Sequence, residues 1–157
     1  FRSLLKISMS NFYQMKTIAL LLFFIIPIQW EPSFEHAKEL AKEKNQLILL
    51  NFSGSDWCVP CIGLRKEYLE TETFGNFAAK NLILVNADFP RKKKNTVPSE
   101  QMKRNEALAE KYNQNGVFPL TLLVNSEGKV IKSWEGKPKV AVEKWVEEIQ
   151  TICQANK

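Results

Sequence analysis

Histidine and cysteine are scarce in this chain, with one His and three Cys among 157 residues. A structural zinc site takes about four nitrogen or sulfur ligands. The supply here is Cys58, Cys61, a distant Cys153 and His36, so no metal role is assigned. His36 falls in a helical stretch and reads as a surface or packing residue. Acid is missing from residues 1–30, which hold Arg2, Lys6 and Lys16, three of the 22 basic residues, leaving 19 bases against 17 acids in the remainder. More than half of the formal net charge of +5 therefore belongs to that opening segment. Much of the rest sits in Arg91-Lys92-Lys93-Lys94, a run that reads as a solvated loop, and no nucleic-acid partner is expected. Internal repeats and interdomain linkers are also lacking. With 45% hydrophobic and 25% charged residues, the chain has the balance of one globular domain with a core of its own.

No apolar run reaches the roughly 20 residues of a comfortable membrane span. Thr17 to Ile28 is almost purely apolar and follows Met15-Lys16, the pattern of a secretory leader. A small-x-small cleavage site is missing, with Pro27-Ile28-Gln29-Trp30 in its place. The segment is therefore a cleaved signal peptide or an uncleaved N-terminal anchor, with a buried helix as the third alternative. The chain opens on Phe1, and Met15 is the candidate initiator. Residues 1–30 are assigned to this upstream segment and residues 31–157 to the domain. Export places the protein in the periplasm or another extracytoplasmic space, where disulfides persist. Membrane contact is expected only through the anchor.

Hydrophobic periodicity organises the rest. Ser33 opens a helix with Phe34, Ala37, Leu40 and Ala41 as its apolar stripe. Gln46 to Phe52 reads as a strand buried on both faces, and Leu82 to Ala87 as a second. Between them a helix is expected from about Cys58 to Glu70, with a further helical piece from Phe74 to Lys80. Ser99 to Tyr112 reads as a helix with Met102, Leu108 and Ala109 facing inward. Leu120 to Val124 and Val130 to Trp134 flank Asn125-Ser126-Glu127-Gly128, a hairpin signal. Val140 to Cys153 is amphipathic, with Val142, Trp145, Val146, Ile149 and Ile152 at helical spacing. Trp134 and Trp145 read as packing residues and Cys153 as a thiol set apart from Cys58 and Cys61. The order β-α-β-α-β-β-α after an opening helix predicts an α/β fold, a mixed sheet flanked by helices.

Trp57-Cys58-Val59-Pro60-Cys61 concentrates the chemistry. Two thiols one helical turn apart can open and close a disulfide. At a helix start the first meets unpaired backbone N–H groups, which favour thiolate over thiol. Thiolate is the nucleophile of disulfide exchange. Pro60 is tolerated in the first turn, where no intrahelical N–H bond is lost.

With the apolar strand Leu47–Phe52, this motif and the later Gly116-Val117-Phe118-Pro119, the chain resembles the thioredoxin-like superfamily over roughly residues 33–153. The segment Ser53-Gly54-Ser55-Asp56-Trp57-Cys58 is most similar to secreted bacterial members. The resemblance implies a thioredoxin fold with an N-terminal helical extension, and a protein thiol–disulfide oxidoreductase whose only cofactor is its own Cys58–Cys61 disulfide. It implies Cys58 as nucleophile and Cys61 as the resolving thiol. Trp57 would flank the site, and Pro119 would be a cis-proline whose neighbour Phe118 offers backbone hydrogen bonds to substrate. Partners would be client proteins with thiols or disulfides and a separate redox partner. Thioredoxins keep a buried acid beneath the disulfide to relay a proton to the resolving cysteine. The nearest counterpart here is Asn51, an amide that cannot take that proton, so slower transfer at Cys61 or relay through water is expected. Asp56 is expected to cap the active-site helix.

Val59-Pro60 differs from the Gly-Pro of reducing thioredoxins and the Pro-His of strong oxidants. The shared proline position favours a reductase or isomerase over an oxidase. The alternative is a peptide-binding or chaperone-like module with a non-catalytic disulfide, against which stands the small entropic gain from so short a loop.

Overall fold

Unbroken burial over the seven residues Leu47–Ser53 makes this strand, β1, the layer on which the rest is stacked. The computed structural model describes residues 28–156. In chain order they form α1 (Phe34–Lys44), β1, α2 (Val59–Leu64), α3 (Glu72–Asn81), β2 (Leu82–Asp88), α4 (Ser99–Tyr112), β3 (Leu120–Val124), β4 (Val130–Glu135) and α5 (Val142–Ala155). β1 runs parallel to β2, from Leu47 beside Leu82 to Ser53 beside Asp88. It runs antiparallel to β3, and β3 pairs antiparallel with β4. The sheet order β2-β1-β3-β4 is mixed, as the element order predicts. Outside β2, Trp30 bridges Leu84 and the Glu31 N–H donates to the Leu84 carbonyl at 2.7 Å. The leader or anchor assignment falls on residues that, up to 27, lie outside those described.

Strand residues two apart share a face, so the sheet separates two cores. Leu47, Leu49, Leu84 and Leu123 face α2, α3 and α5, while Ile48, Leu50, Phe52 and Val85 face α1 and α4. Both faces are covered, and for that reason β1 and β2 lack an apolar–polar alternation. The β3–β4 hairpin turns on Asn125, whose Oδ1 accepts from the Glu127 and Lys129 N–H groups. Gly128 sits at φ 84° with the Tyr112 hydroxyl where a Cβ would go, so glycine is required there.

The helix expected from Cys58 to Glu70 is present and unbroken, but its second half widens from α to π geometry. After α2 the chain makes a π turn over Arg65–Leu69, closed by the Glu70 N–H on the Arg65 carbonyl at 2.8 Å. The wider turn lets the adjacent Tyr68 and Leu69 both enter the core. The Tyr68 hydroxyl donates to the Val140 carbonyl at 2.6 Å and thereby ties this turn to the start of α5.

Trp145 centres the first core. It stacks on Phe74 at a centroid distance of 5.7 Å and meets Tyr68 and Trp134 edge-on. It is 1% exposed, and among the described residues its Nε1 has no hydrogen-bond partner. Trp145→Ala should therefore lower stability by about 3–5 kcal/mol. Trp145→Phe should lower it by less than about 1.5 kcal/mol, because it also removes a buried unsatisfied donor. Guanidinium unfolding of the two variants checks the contrast, and equal losses would contradict it.

Candidate active site

β1 ends at Ser53, and the chain turns at once: the Trp57 and Cys58 N–H groups both donate to the Gly54 carbonyl, at 3.2 and 2.9 Å. Cys58 is the N-cap of α2, in extended backbone, and its Sγ accepts from the Cys61 N–H at 3.3 Å. The two sulfurs are bonded, with Cα atoms 5.2 Å apart, ordinary for a disulfide. Pro60 lies in the first turn, where its missing N–H removes no bond. Cys58 is 6% and Cys61 3% exposed, whereas Val59 beside them is 76% exposed. The pair thus lies in the floor of the surface with Val59 projecting next to it.

Trp57 forms one wall. Its Nε1 donates to the Phe89 carbonyl at 2.7 Å, its ring meets Phe118 edge-on at 5.5 Å, and the Arg91 guanidinium stacks 3.7 Å from its centroid. A Cβ at Gly54 would overlap the indole, so glycine is what lets Trp57 lie down against the turn. Phe118 also meets Phe89 edge-on at 5.6 Å, and the Phe118–Pro119 peptide bond is cis. The fold thereby gathers Trp57, Phe118 and Pro119 with Phe89 and Arg91.

On the α2 side of the sheet Asn51 is 4% exposed. Its Nδ2 donates to Asn86 Oδ1 at 2.8 Å, and its Oδ1 accepts from the Thr121 hydroxyl at 3.1 Å. The register sets Asn86 and Thr121 on either side of it. An open cleft of about 660 Å³ reaches this amide pair, with Ser53, Ser55, Asp88 and Asn105 among its lining. Asp88 accepts from the Ser55 N–H and hydroxyl, and Asn105 Nδ2 donates to the Asp88 carbonyl.

Asp56 does not cap the active-site helix; Cys58 does. The Asp56 carboxylate turns the other way and accepts from the Arg91 and Lys92 N–H groups and Asn95 Nδ2, each at 2.9 Å. Three donors converging from one loop outweigh a single N–H of α2. The basic run, expected to be merely solvated, is accordingly a held loop with a 3-10 turn at Lys93–Asn95.

Phe89, Arg91, Asn86 and Thr121 do not stand out in the sequence as site residues. The two parallel strands hold the only signal for Asn86, since aligning Leu47 with Leu82 sets Asn51 beside it. Asn105, 1% exposed, interrupts the apolar stripe of α4, and periodicity alone therefore leaves it out.

The Arg91 N–H bond holds the Asp56 carboxyl below its ordinary value of 3.8; partial desolvation opposes it, and Asn95 and Lys92 reinforce it. A carboxylate with a depressed folded pKa contributes stability that is fully present above the unfolded value and lost as pH falls through the folded one. The Arg91 and Lys92 amides should therefore be protected from hydrogen exchange at about pH 5 and lose that protection only below 3.8. In Asp56→Ala they should be unprotected throughout. Protection in the variant equal to that of the wild type would contradict the clamp.

A family model described as thioredoxin-like matches residues 29–126. The chain is 39% identical over 102 residues to a disulfide bond reductase, DsbH, of Chlamydia pneumoniae, covering 65% of this chain and 59% of that protein. It is 29% identical over 105 residues to the thioredoxin-related protein DsbJ of the same organism, covering 67% and 30% respectively. The chain thus spans less than two thirds of the length of these curated relatives. Among solved structures, a DsbH oxidoreductase superposes with a TM-score of 0.71 at 32% identity, over 81% of this chain and 85% of that one. By its mixed sheet, its disulfide at a helix start and this match over most of the domain, the chain belongs to the thioredoxin-like family.

Proposed function

We propose that the protein is an extracytoplasmic thiol–disulfide oxidoreductase that reduces disulfides in client proteins, with Cys58 as nucleophile and Cys61 as resolving thiol. The observation that carries this reading is the Cys61 N–H aimed at Cys58 Sγ at the start of α2. An N–H donor stabilises a sulfur anion more than a neutral thiol. The likeness to a relative described as a disulfide bond reductase supports the direction, and the apolar run after Met15-Lys16 supports the compartment.

In the reducing direction Cys58 thiolate attacks one sulfur of a client disulfide, and the other leaves as a thiolate that takes a proton from water. Cys61 then loses its proton and attacks Cys58 Sγ. The second client sulfur leaves as a thiolate that also takes a proton from water, and the Cys58–Cys61 bond closes. The client gains two electrons and two protons, and the protein is left oxidised. A dithiol donor of the same compartment restores it. Asn51 cannot accept the Cys61 proton, so in this scheme the proton passes to water. Trp57, Phe118 and Pro119 frame the groove along which an extended client segment lies, the backbone of Phe118 pairing with it.

Dithiothreitol-driven insulin reduction tests the assignment. Cys58→Ser should lower the rate by at least about a hundredfold, and undiminished turnover would remove Cys58 as nucleophile and favour a peptide-binding module. Iodoacetamide labelling against pH should give Cys58 a midpoint below the free-thiol value of roughly 8.5. A midpoint at or above that value would argue against activation by the helix start.

A further inference from the structure

We infer that the loop carrying Arg91, Lys92, Lys93 and Lys94 is a docking lip for acidic protein segments that flank the client's disulfide. The inference deepens the oxidoreductase reading and rests on it. Four observations carry it. The loop is fixed rather than free, because the Phe89 N–H donates to the Ser53 carbonyl at 2.8 Å and the Asp56 carboxylate holds the Arg91 and Lys92 N–H groups. It is fixed beside the redox pair, because the Arg91 guanidinium stacks on Trp57, the residue preceding Cys58. All four basic side chains are exposed, and among the described residues none enters an ion pair. The acids that flank the cysteine motif and end β2 are already engaged, Asp56 by the loop's own donors and Asp88 by Ser55.

The result is a cluster of positive charge at the rim of a surface whose walls are apolar, Trp57 and Phe118, with Val59 projecting beside the disulfide. A client segment with an apolar stretch at its disulfide and Asp or Glu beside it matches both parts. Exposed pairs are individually weak, but several like charges at one rim raise the encounter rate of an oppositely charged partner, and salt screens that effect. Arg91 is the most committed of the four, since its stacking on Trp57 orders the guanidinium over the wall of the site. Lys92, Lys93 and Lys94 remain to meet the client.

The experiment compares three disulfide-bonded peptides of one core sequence, flanked by Asp/Glu, by Gly/Ser or by Lys. Binding to the oxidised full-length chain is read by fluorescence anisotropy, and reduction by the dithiol form is read as kcat/KM. The acidic peptide should bind and react about tenfold better than the neutral one at about 0.02 M salt, and within about twofold of it at about 0.5 M. The triple charge reversal Lys92→Glu, Lys93→Glu, Lys94→Glu should bring the acidic-to-neutral ratio below one. Equal binding of the three peptides at low salt would overturn the proposal. So would a preference that survives the triple reversal, or binding of anionic vesicles through these lysines with no preference among the peptides. If no peptide is reduced, the oxidoreductase reading fails, while the anisotropy ratios still decide whether the lip recognises acid.

Discussion

A sulfur seated just before a helix can accept the N–H three residues on, and the rest of this site is arranged so that Cys58 does so. The donor is Cys61 N–H, 3.3 Å from Cys58 Sγ. The arrangement depends on β1 delivering the chain at a fixed height and on an immediate turn. Gly54 supplies the turn, its carbonyl taking the Trp57 and Cys58 N–H groups. Its missing Cβ makes room for the Trp57 ring. A bulkier residue there would displace Trp57, the wall, and with it the start of α2.

The same turn organises the electrostatics. Asp56 lies between the strand and the cysteines, yet its carboxylate serves the loop after β2. Parallel pairing of β1 with β2 brings the two strand ends together, Ser53 beside Asp88. The segments that leave the two strands therefore meet there: the cysteine motif after β1 and the basic run after β2. Arg91 over Trp57 is one of the contacts that join them, beside the Trp57 Nε1 bond to Phe89 and the Asp56 carboxylate on the loop amides. The acidic carboxyl neutralises none of the lysine head groups by direct pairing and instead holds the backbone that presents them.

Much of this architecture is legible in the sequence, and the reasons can be traced to particular elements. β1 and β2 announce themselves as short unbroken apolar runs because both their faces are covered. The hairpin is legible from Asn125 and Gly128, each needed by the turn. The stripe of α5 is legible because one face alone packs on the sheet. The π turn is not, since Arg65–Leu69 has the composition of ordinary helix and only tertiary packing selects the wider turn. Asp56 misleads because local spacing favours a cap, whereas its partners lie in another loop and become neighbours only through the strand register. Asn51 stands out by resemblance, but the Asn86 and Thr121 side chains that satisfy it belong to β2 and β3, and their proximity is a property of the sheet.

Most of the mechanism rests on Cys58 being the sulfur that meets a client while Cys61 releases it. Trapping measures this directly: Cys61→Ala and Cys58→Ala variants are each incubated with a disulfide-bonded protein, and the covalent adducts are mapped by mass spectrometry. The mechanism predicts a mixed disulfide at Cys58 that accumulates in Cys61→Ala, with little or none in Cys58→Ala. Accumulation through Cys61 in Cys58→Ala, with none at Cys58 in the reciprocal variant, would contradict it.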